Sequence, residues 1–364
     1  MNTPNTILTV AGMVLLASAA PVLGQVLPEV ESRRCSAENR GDCLNGVGSG
    51  VTSLDGLRVS GVPASRHGSE GAADEQRQAM LPGGEVHGMS AGSGALAGYN
   101  VWSSYGYSRF ESDTRLGAYR GHTENLLVGV DRLLGERLLL GVSLGYESTD
   151  NTTTFNNGEQ DREGVTIAPY ALVLLSDAFS IDVSAGYGRL YTDQDRINTG
   201  TGTRITSDFD AERAFATANL NGLLLSGDWV LGGRLGVLYA VESQDAYLET
   251  DATVGAGSQA RAVRDRHIDL TQGYASVDAA YAMGEWEPYA TVGYHRDFSR
   301  DDGRTAGGLP GGVVTQPNDR TEWQYGVGLR YYGSGVSGSL EWITTQGRKA
   351  FDNDALNLSV RVDF

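Results

Sequence analysis

No block of lysines and arginines occurs anywhere in this sequence, and its formal charge is -17 with a pI near 4.7. Nucleic acid and an anionic inner leaflet are thereby excluded as partners, because both need a basic patch. Long apolar runs are missing too. Beyond residue 24 nothing approaches the ~20 consecutive apolar residues of a spanning helix. A membrane location would therefore require a closed sheet, the other arrangement that satisfies its own backbone in lipid. Cysteine is nearly absent, with Cys35 and Cys43 the only two. In an oxidising compartment they either pair with each other or stay as free or externally paired thiols. With no Cys/His cluster and no D-x-D-x-D-G calcium loop, neither a metal nor a cofactor is expected. Five methionines, few leucine-rich helical stretches and fifty glycines in 364 residues argue for one large all-β domain rather than two average ones.

The opening stretch, MNTPNTILTVAGMVLLASAAPVLG, has a short polar start, an apolar core from Ile7 to Ala20 and small residues before Gly24. It reads as a signal peptide over residues 1–24, which implies export. Residues 25–95 are rich in Gly, Ser, Ala and charge and keep no period of two or 3.6, so a mostly flexible extension is expected there. Its one helical candidate is AADEQRQAML, Ala72–Leu81, stopped by Pro82, Gly83 and Gly84. That helix would be ~15 Å long, too short to cross a barrel ~25 Å tall.

From residue 96 onward the texture becomes alternation. Leu138, Leu140, Val142, Leu144 and Tyr146 share one face, as do Leu231, Leu235, Val237, Tyr239 and Val241, and Trp323, Tyr325, Val327, Leu329 and Tyr331. The opposite faces are small, polar or charged, which is the period of a two-faced strand. A soluble sandwich would alternate as well. The connections decide between the two. Short turns near 134–136, 176–177, 226–228, 283–285 and 333–335 interleave with longer polar loops near 111–122, 150–163, 192–210, 244–265, 299–319 and 346–353. This pattern predicts a 12-stranded antiparallel transmembrane β-barrel over residues 96–364, apolar face to lipid and polar face to the lumen. Trp102, Tyr105, Tyr146, Trp229, Tyr281, Trp286 and Trp342 fall where strand ends would meet headgroups.

Inward positions are expected to carry Glu147, Arg234, Glu242, Asp269, Arg330 and Glu341, charges that suit an aqueous channel. No catalytic residue is expected. Gly88–Gly92 and Gly141–Gly145 match G-x-S-x-G, but neither lies at a strand-to-helix elbow. His295 and Asp297 share an inward face near an outer strand end, the setting of a solvated pair.

The last nine residues, LNLSVRVDF, alternate up to Phe364, with Leu358, Val360 and Val362 on the apolar face. This strand resembles the C-terminal signature of bacterial outer-membrane proteins, which ends on an aromatic residue. The resemblance implies that Phe364, Val362, Val360 and Leu358 form a signal read by the barrel-assembly machinery. Together with the first strand GYNVWSSYGYSRF and the twelve-strand count, the region resembles the autotransporter β-domain of type V secretion. In that family the barrel anchors an N-terminal passenger whose linking segment threads the pore. Residues 25–95 would then be an unusually short passenger or linker. The expected partners are outer-membrane lipids, lipopolysaccharide, periplasmic chaperones and the assembly machinery. A stand-alone porin-like or adhesive barrel, with residues 25–95 as periplasmic extension or plug, is the alternative. Within CSAENRGDC, Arg40, Gly41 and Asp42 resemble the tripeptide recognised by integrins, so a host surface receptor is a further candidate partner.

Overall fold

The computed structural model describes residues 99–363 except 113–117, 135–136, 154–156, 177, 199, 254–257, 259, 261, 302–319, 334–335 and 349–350. The N-terminal features, including the helix expected at Ala72–Leu81, Cys35, Cys43 and the Arg40–Asp42 tripeptide, lie outside the described residues, as does Phe364.

Twelve long strands follow one another: β1 (Tyr99–Ser112), β2 (Tyr119–Leu134), β3 (Leu138–Thr153), β4 (Gly158–Leu174), β5 (Phe179–Ile197), β6 (Arg204–Ser226), β7 (Trp229–Gln244), β8 (Arg266–Tyr281), β9 (Trp286–Asp301), β10 (Thr321–Gly333), β11 (Val336–Gln346) and β12 (Asp352–Asp363). Each pairs antiparallel with its neighbours in sequence. The ring closes where β1 meets β12, from Asn100 opposite Asp363 to Glu111 opposite Asp352. Closure removes both sheet edges, so each strand has a hydrogen-bonding partner on each side. Short turns join the strands at one end. Gly227 and Gly284 sit there at φ of 61° and 66°, a left-handed backbone that glycine adopts without strain.

Burial is inverted relative to a soluble domain. Leu144 (63%), Leu235 (61%) and Val165 (55%) are exposed outward, while Glu242, Glu287 and Glu322 are each 1% exposed. Lipid is the solvent that makes the outer face favourable, and only a closed sheet can place it there.

β5 and β6 run to 19 and 23 residues, beyond the ~10 that cross the hydrocarbon layer. Much of what was expected as loop at 150–163 and 192–210 is therefore strand that continues past the membrane. The outward positions of these extensions, such as Asp193, Asp195, Asp208 and Asp210, are charged, while the buried inward ones mix Thr192 and Gln194 with Ile205 and Phe209, so the apolar outward face that reveals a lipid-facing strand is missing. Part of the next loop folds back onto them. Tyr247 stacks on Phe209 at 4.6 Å, and Arg196 meets Glu249 at 2.7 Å.

Several inward aromatics lie flat over glycines of the adjacent strand. A Cβ added at Gly129 would stand 2.3 Å from the Trp102 ring, at Gly141 2.3 Å from Tyr170, and at Gly186 2.3 Å from Phe215. The glycines make room for large rings inside a wall that would otherwise be overfilled. Trp102, expected among the lipid-facing aromatics, is one of these inward rings and is corrected accordingly. Its neighbours Val101 and Ser103 take the outward positions because β1 alternates through Tyr105 (38%) and Tyr107 (36%) on that face. The outer aromatics instead cluster as pairs such as Trp229 with Tyr281 (5.2 Å) and Trp286 with Tyr331 (4.8 Å) at the short-turn end.

Candidate functional site: the barrel lumen

Alternation sends every second residue of each strand inward, and charges there need partners because water is largely excluded from them. On the β3–β7 wall, Arg213 donates to Glu242 Oε2 at 3.0 Å and to Glu147 Oε2 at 2.8 Å. Arg162 reaches across from β4 to Glu242 Oε1 at 3.0 Å and donates to Thr192 at 3.1 Å. Gln244 adds a bond to Glu242 at 2.8 Å. Two cations and two anions thus neutralise one another in a buried cluster.

Three further clusters line the lumen. Towards the short turns Arg330 donates to Glu287 at 2.6 Å and to Asp278 at 3.2 Å, with its guanidinium 4.0 Å from the centre of the Tyr289 ring. Towards the loops Arg348 holds Asp297 at 2.9 Å and Glu322 at 2.5 Å, while Gln272 bonds Asp297 at 2.8 Å and lies 3.2 Å from His295 Nδ1. At the closing seam Asp131 of β2 accepts from Asn100 (2.9 Å), Tyr170 Oη (2.7 Å) and Arg361 Nη2 (2.6 Å), and Trp102 Nε1 donates to Tyr170 Oη at 2.6 Å. One carboxylate so ties β12, β1, β2 and β4 together.

Small residues lie between the clusters on the opposite wall. Inward positions of β10–β12 and β1 include Gly326, Gly328, Ser339, Ser359, Ser104 and Gly106, where Ser339 and Ser359 share a hydrogen bond of 2.7 Å. These small residues alternate along the same strands with the ion-paired Glu322, Arg330 and Arg361.

Among the lumen charges singled out from sequence, Glu242 and Arg330 anchor two of these clusters. Arg234 donates to Asn221 at 2.8 Å, and Glu341 is buried opposite Gly328 and Asn357. Asp269 is a correction: it lies opposite Val241, on the outer face, and accepts from Ser299 at 3.1 Å. A bulge between Thr271 and Gln272 shifts the register against β9, and Ile268 and Leu270 take the inward positions. Val362, Val360 and Leu358 pair in register with Val101, Ser103 and Tyr105 of β1. Ser143 is buried inside β3 and donates to the Ala168 carbonyl at 3.3 Å.

Sequence reasoning missed Arg162, Arg213, Arg348 and Asp131, whose partners lie between 26 and 230 positions away. It also missed the inward apolar groups Leu139–Leu172–Leu174 and Leu238–Ala240–Ile268–Leu270. The one available signal was the strand period itself, which puts Arg162, Arg213 and Asp131 on faces opposite their apolar neighbours.

A closed, even-numbered antiparallel sheet with an apolar exterior and a charged interior defines an outer-membrane β-barrel. Within that class the chain belongs to the autotransporter β-domain family, whose model matches residues 101–341. The fold is similar to the translocator domain of the autotransporter NalP from Neisseria meningitidis, at 18% identity and TM-score 0.61 over 74% of this chain and 89% of that one. It is also similar to the β domain of the Bordetella autotransporter BrkA, at 16% identity and TM-score 0.57 over 73% and 100% of the two chains. In sequence, 307 residues are 23% identical to outer membrane protein B of Rickettsia typhi, covering 76% of this chain and 18% of that protein. The same-named protein of Rickettsia prowazekii is 21% identical, covering 89% and 22%. The chain thus spans about a fifth of the length of these relatives. It is a translocator barrel of the bacterial outer membrane.

Proposed function

We propose that the barrel carries the segment preceding Tyr99 into or through its lumen, with residues 1–24 as signal peptide, 25–95 as passenger or linker and 96–364 as barrel. The observation that carries this reading is the closed ring of twelve strands with its polar residues turned inward. Twelve strands enclose more than the eight whose interior side chains alone fill. β1 also begins at the short-turn end, which in such barrels faces the periplasm, so the preceding segment starts at the inner mouth. On this reading Phe364, Val362, Val360 and Leu358 are the strand presented to the assembly machinery. Periplasmic chaperones deliver the chain, and lipid and lipopolysaccharide surround it. Cys35 and Cys43, if paired, would present Arg40–Asp42 in a closed loop to a surface receptor. The barrel itself does no bond-making chemistry, a reading supported by the solvent-free, internally bonded setting of Ser143 and by the ion-paired surroundings of Asp297.

The test is protease treatment of intact cells. Cleavage within residues 26–65 is expected. Full insertion of the barrel without cleavage there would overturn export and leave the segment inside the lumen or in the periplasm. Hydrolysis of lipid or peptide that disappears in Ser143→Ala or His295→Ala would overturn the non-enzymatic reading.

A further inference from the structure

At the short-turn end five strand pairs, β2–β3, β4–β5, β6–β7, β8–β9 and β10–β11, are each joined covalently by two to four residues. The sixth pair at that end, β12 with β1, brings the last strand to the first, so no turn connects them. At the loop end β1 is tied to β2 and β12 to β11 by their loops. The short-turn end of the β1–β12 seam is therefore the least constrained stretch of ladder in the ring. Ladders open first where constraint is least, so a sideways opening would begin there.

A charged contact stands at that point. Trp102 faces Arg361 in the third row from the end of the seam, after Asn100 with Asp363 and Val101 with Val362. From this row Arg361 reaches past β1 to β2, where Nη2 donates to Asp131 Oδ1 at 2.6 Å and Nη1 to Oδ2 at 3.2 Å. Asn100 of β1 donates to Oδ1 at 2.9 Å, and Tyr170 of β4 donates to Oδ2 at 2.7 Å while accepting from Trp102 of β1. The carboxylate is thus held in position by β1, β2 and β4, without help from β12. Its side chain is 1% exposed and that of Arg361 14%. Farther up the seam the inward rows are Ser104 with Ser359, Gly106 with Asn357 and Ser108 with Ala355, and none of these six is charged. The clusters around Glu242, Arg330 and Arg348 instead tie together strands between β3 and β11.

A buried carboxylate without its cation is unfavourable, and a guanidinium that gives it two N–H bonds is among its stronger partners. While β12 stands away from β1, Asp131 keeps its neutral donors but lacks Arg361, which lies 230 positions away along the chain. Docking of β12 supplies the missing charge at the one junction that no turn holds. We propose that Asp131 is the lock of the ring: it stands prepared on β2, takes up Arg361 as β12 docks on β1, and then sets how slowly the seam reopens sideways. The lock acts within the barrel wall and is independent of whether the segment before Tyr99 enters the lumen.

The test follows unfolding by urea in detergent micelles, using the full-length chain with Cys35→Ser, Cys43→Ser and a switchable bridge across the seam. Ser104→Cys and Ser359→Cys supply the bridge, since these residues are directly opposed on the lumen side. With the bridge reduced, Arg361→Gln is expected to speed the loss of heat-modifiable migration about tenfold or more. With the bridge oxidised, the same substitution should change the rate by less than about twofold, because two elements that act on one seam are coupled. Arg330→Gln, whose pairs lie between β8, β9 and β10, is the comparison and should speed unfolding equally in both states. Arg361→Lys keeps the charge but loses the paired geometry, and serves with an expected several-fold rise where Arg361→Gln fails to assemble. An Arg361 variant that unfolds at the parent rate with the bridge reduced would overturn the lock. Acceleration that persists with the bridge oxidised would overturn it too, since the pair would then brace the wall and not the seam. Cancellation of the Arg330→Gln effect by the bridge would show that the disulfide stiffens the whole ring, and would remove the assignment of Asp131 to the seam.

Discussion

On β7, Leu235, Val237 and Tyr239 point outward at 61, 42 and 50% exposure, while Leu238, Ala240 and Glu242, each one residue or so away, are buried inward. The outer face asks only that a side chain be apolar, because lipid has no preferred partner to offer it. The inner face asks for a named partner at a named distance. Glu242 is held by Arg162 from β4 and Arg213 from β6, and an uncharged residue in place of either would weaken the balance of charge around it. Specificity in this barrel therefore resides in the lumen, and bulk stability in its contact with lipid. The largest test of that division is Glu242→Leu, which should leave two buried guanidiniums short of a counter-charge and cost about 3–5 kcal/mol. Urea titration in detergent micelles reads the loss. A cost below about 1 kcal/mol would mean that lumen water replaces the carboxylate, and that the inner face is as tolerant as the outer.

The next test moves one residue along β12. Val360 is 43% exposed on the lipid face, whereas Ser359 faces inward and bonds Ser339. Val360→Arg should cost about 2–4 kcal/mol in a bilayer, and Ser359→Arg distinctly less, since a lumen charge keeps access to water and polar neighbours. The ratio of folded to unfolded barrel in vesicles, followed by heat-modifiable migration, gives the order. Equal costs would mean that the two faces are not distinguished by lipid.

How far the fold was legible follows from the same division. The strands inside the membrane, their number and the outward residues from Leu126 to Val360 could be read because lipid imposes a period of two that nothing else in the chain imitates. The extensions around Asp150, Asp161 and Asp193 could not, since their outward residues are charged and buried inward ones such as Asn151, Arg162 and Thr192 are polar too, so no apolar alternation marks the strand. Trp102 was misplaced because an aromatic in a strand suits lipid and lumen alike, and only Gly129 opposite it shows which. Asp269 was misplaced because at this end of β8 the inward residues, Ile268 and Leu270, are apolar and the charge sits outward, so polarity does not mark the lumen face. The lumen clusters were legible as faces but not as pairs. Arg361 and Asp131 are 230 positions apart and meet only once the ring has closed.

Glycine gives the smallest and sharpest comparison of the two faces. Gly129 faces inward under the Trp102 ring, where a new Cβ would stand 2.3 Å from the indole, while a Cβ on Gly233 would meet nothing nearer than the Ser276 carbonyl at 3.9 Å. The same substitution should then have opposite signs. Gly129→Ala forces the rigid indole to shift or the strands to part, which costs about 1–3 kcal/mol as other overfilled sites do. It should also weaken the Trp102–Tyr170 hydrogen bond, so the tryptophan fluorescence of the folded barrel should change with it. Gly233→Ala adds a methyl group in open space and reduces the freedom of the unfolded chain, and should stabilise by about 0.4–1 kcal/mol. Urea midpoints of the two variants measured side by side decide the matter. Stabilisation by Gly129→Ala would mean that Trp102 does not occupy the glycine slot, and with it the inward assignment of β1's even-numbered residues would fail.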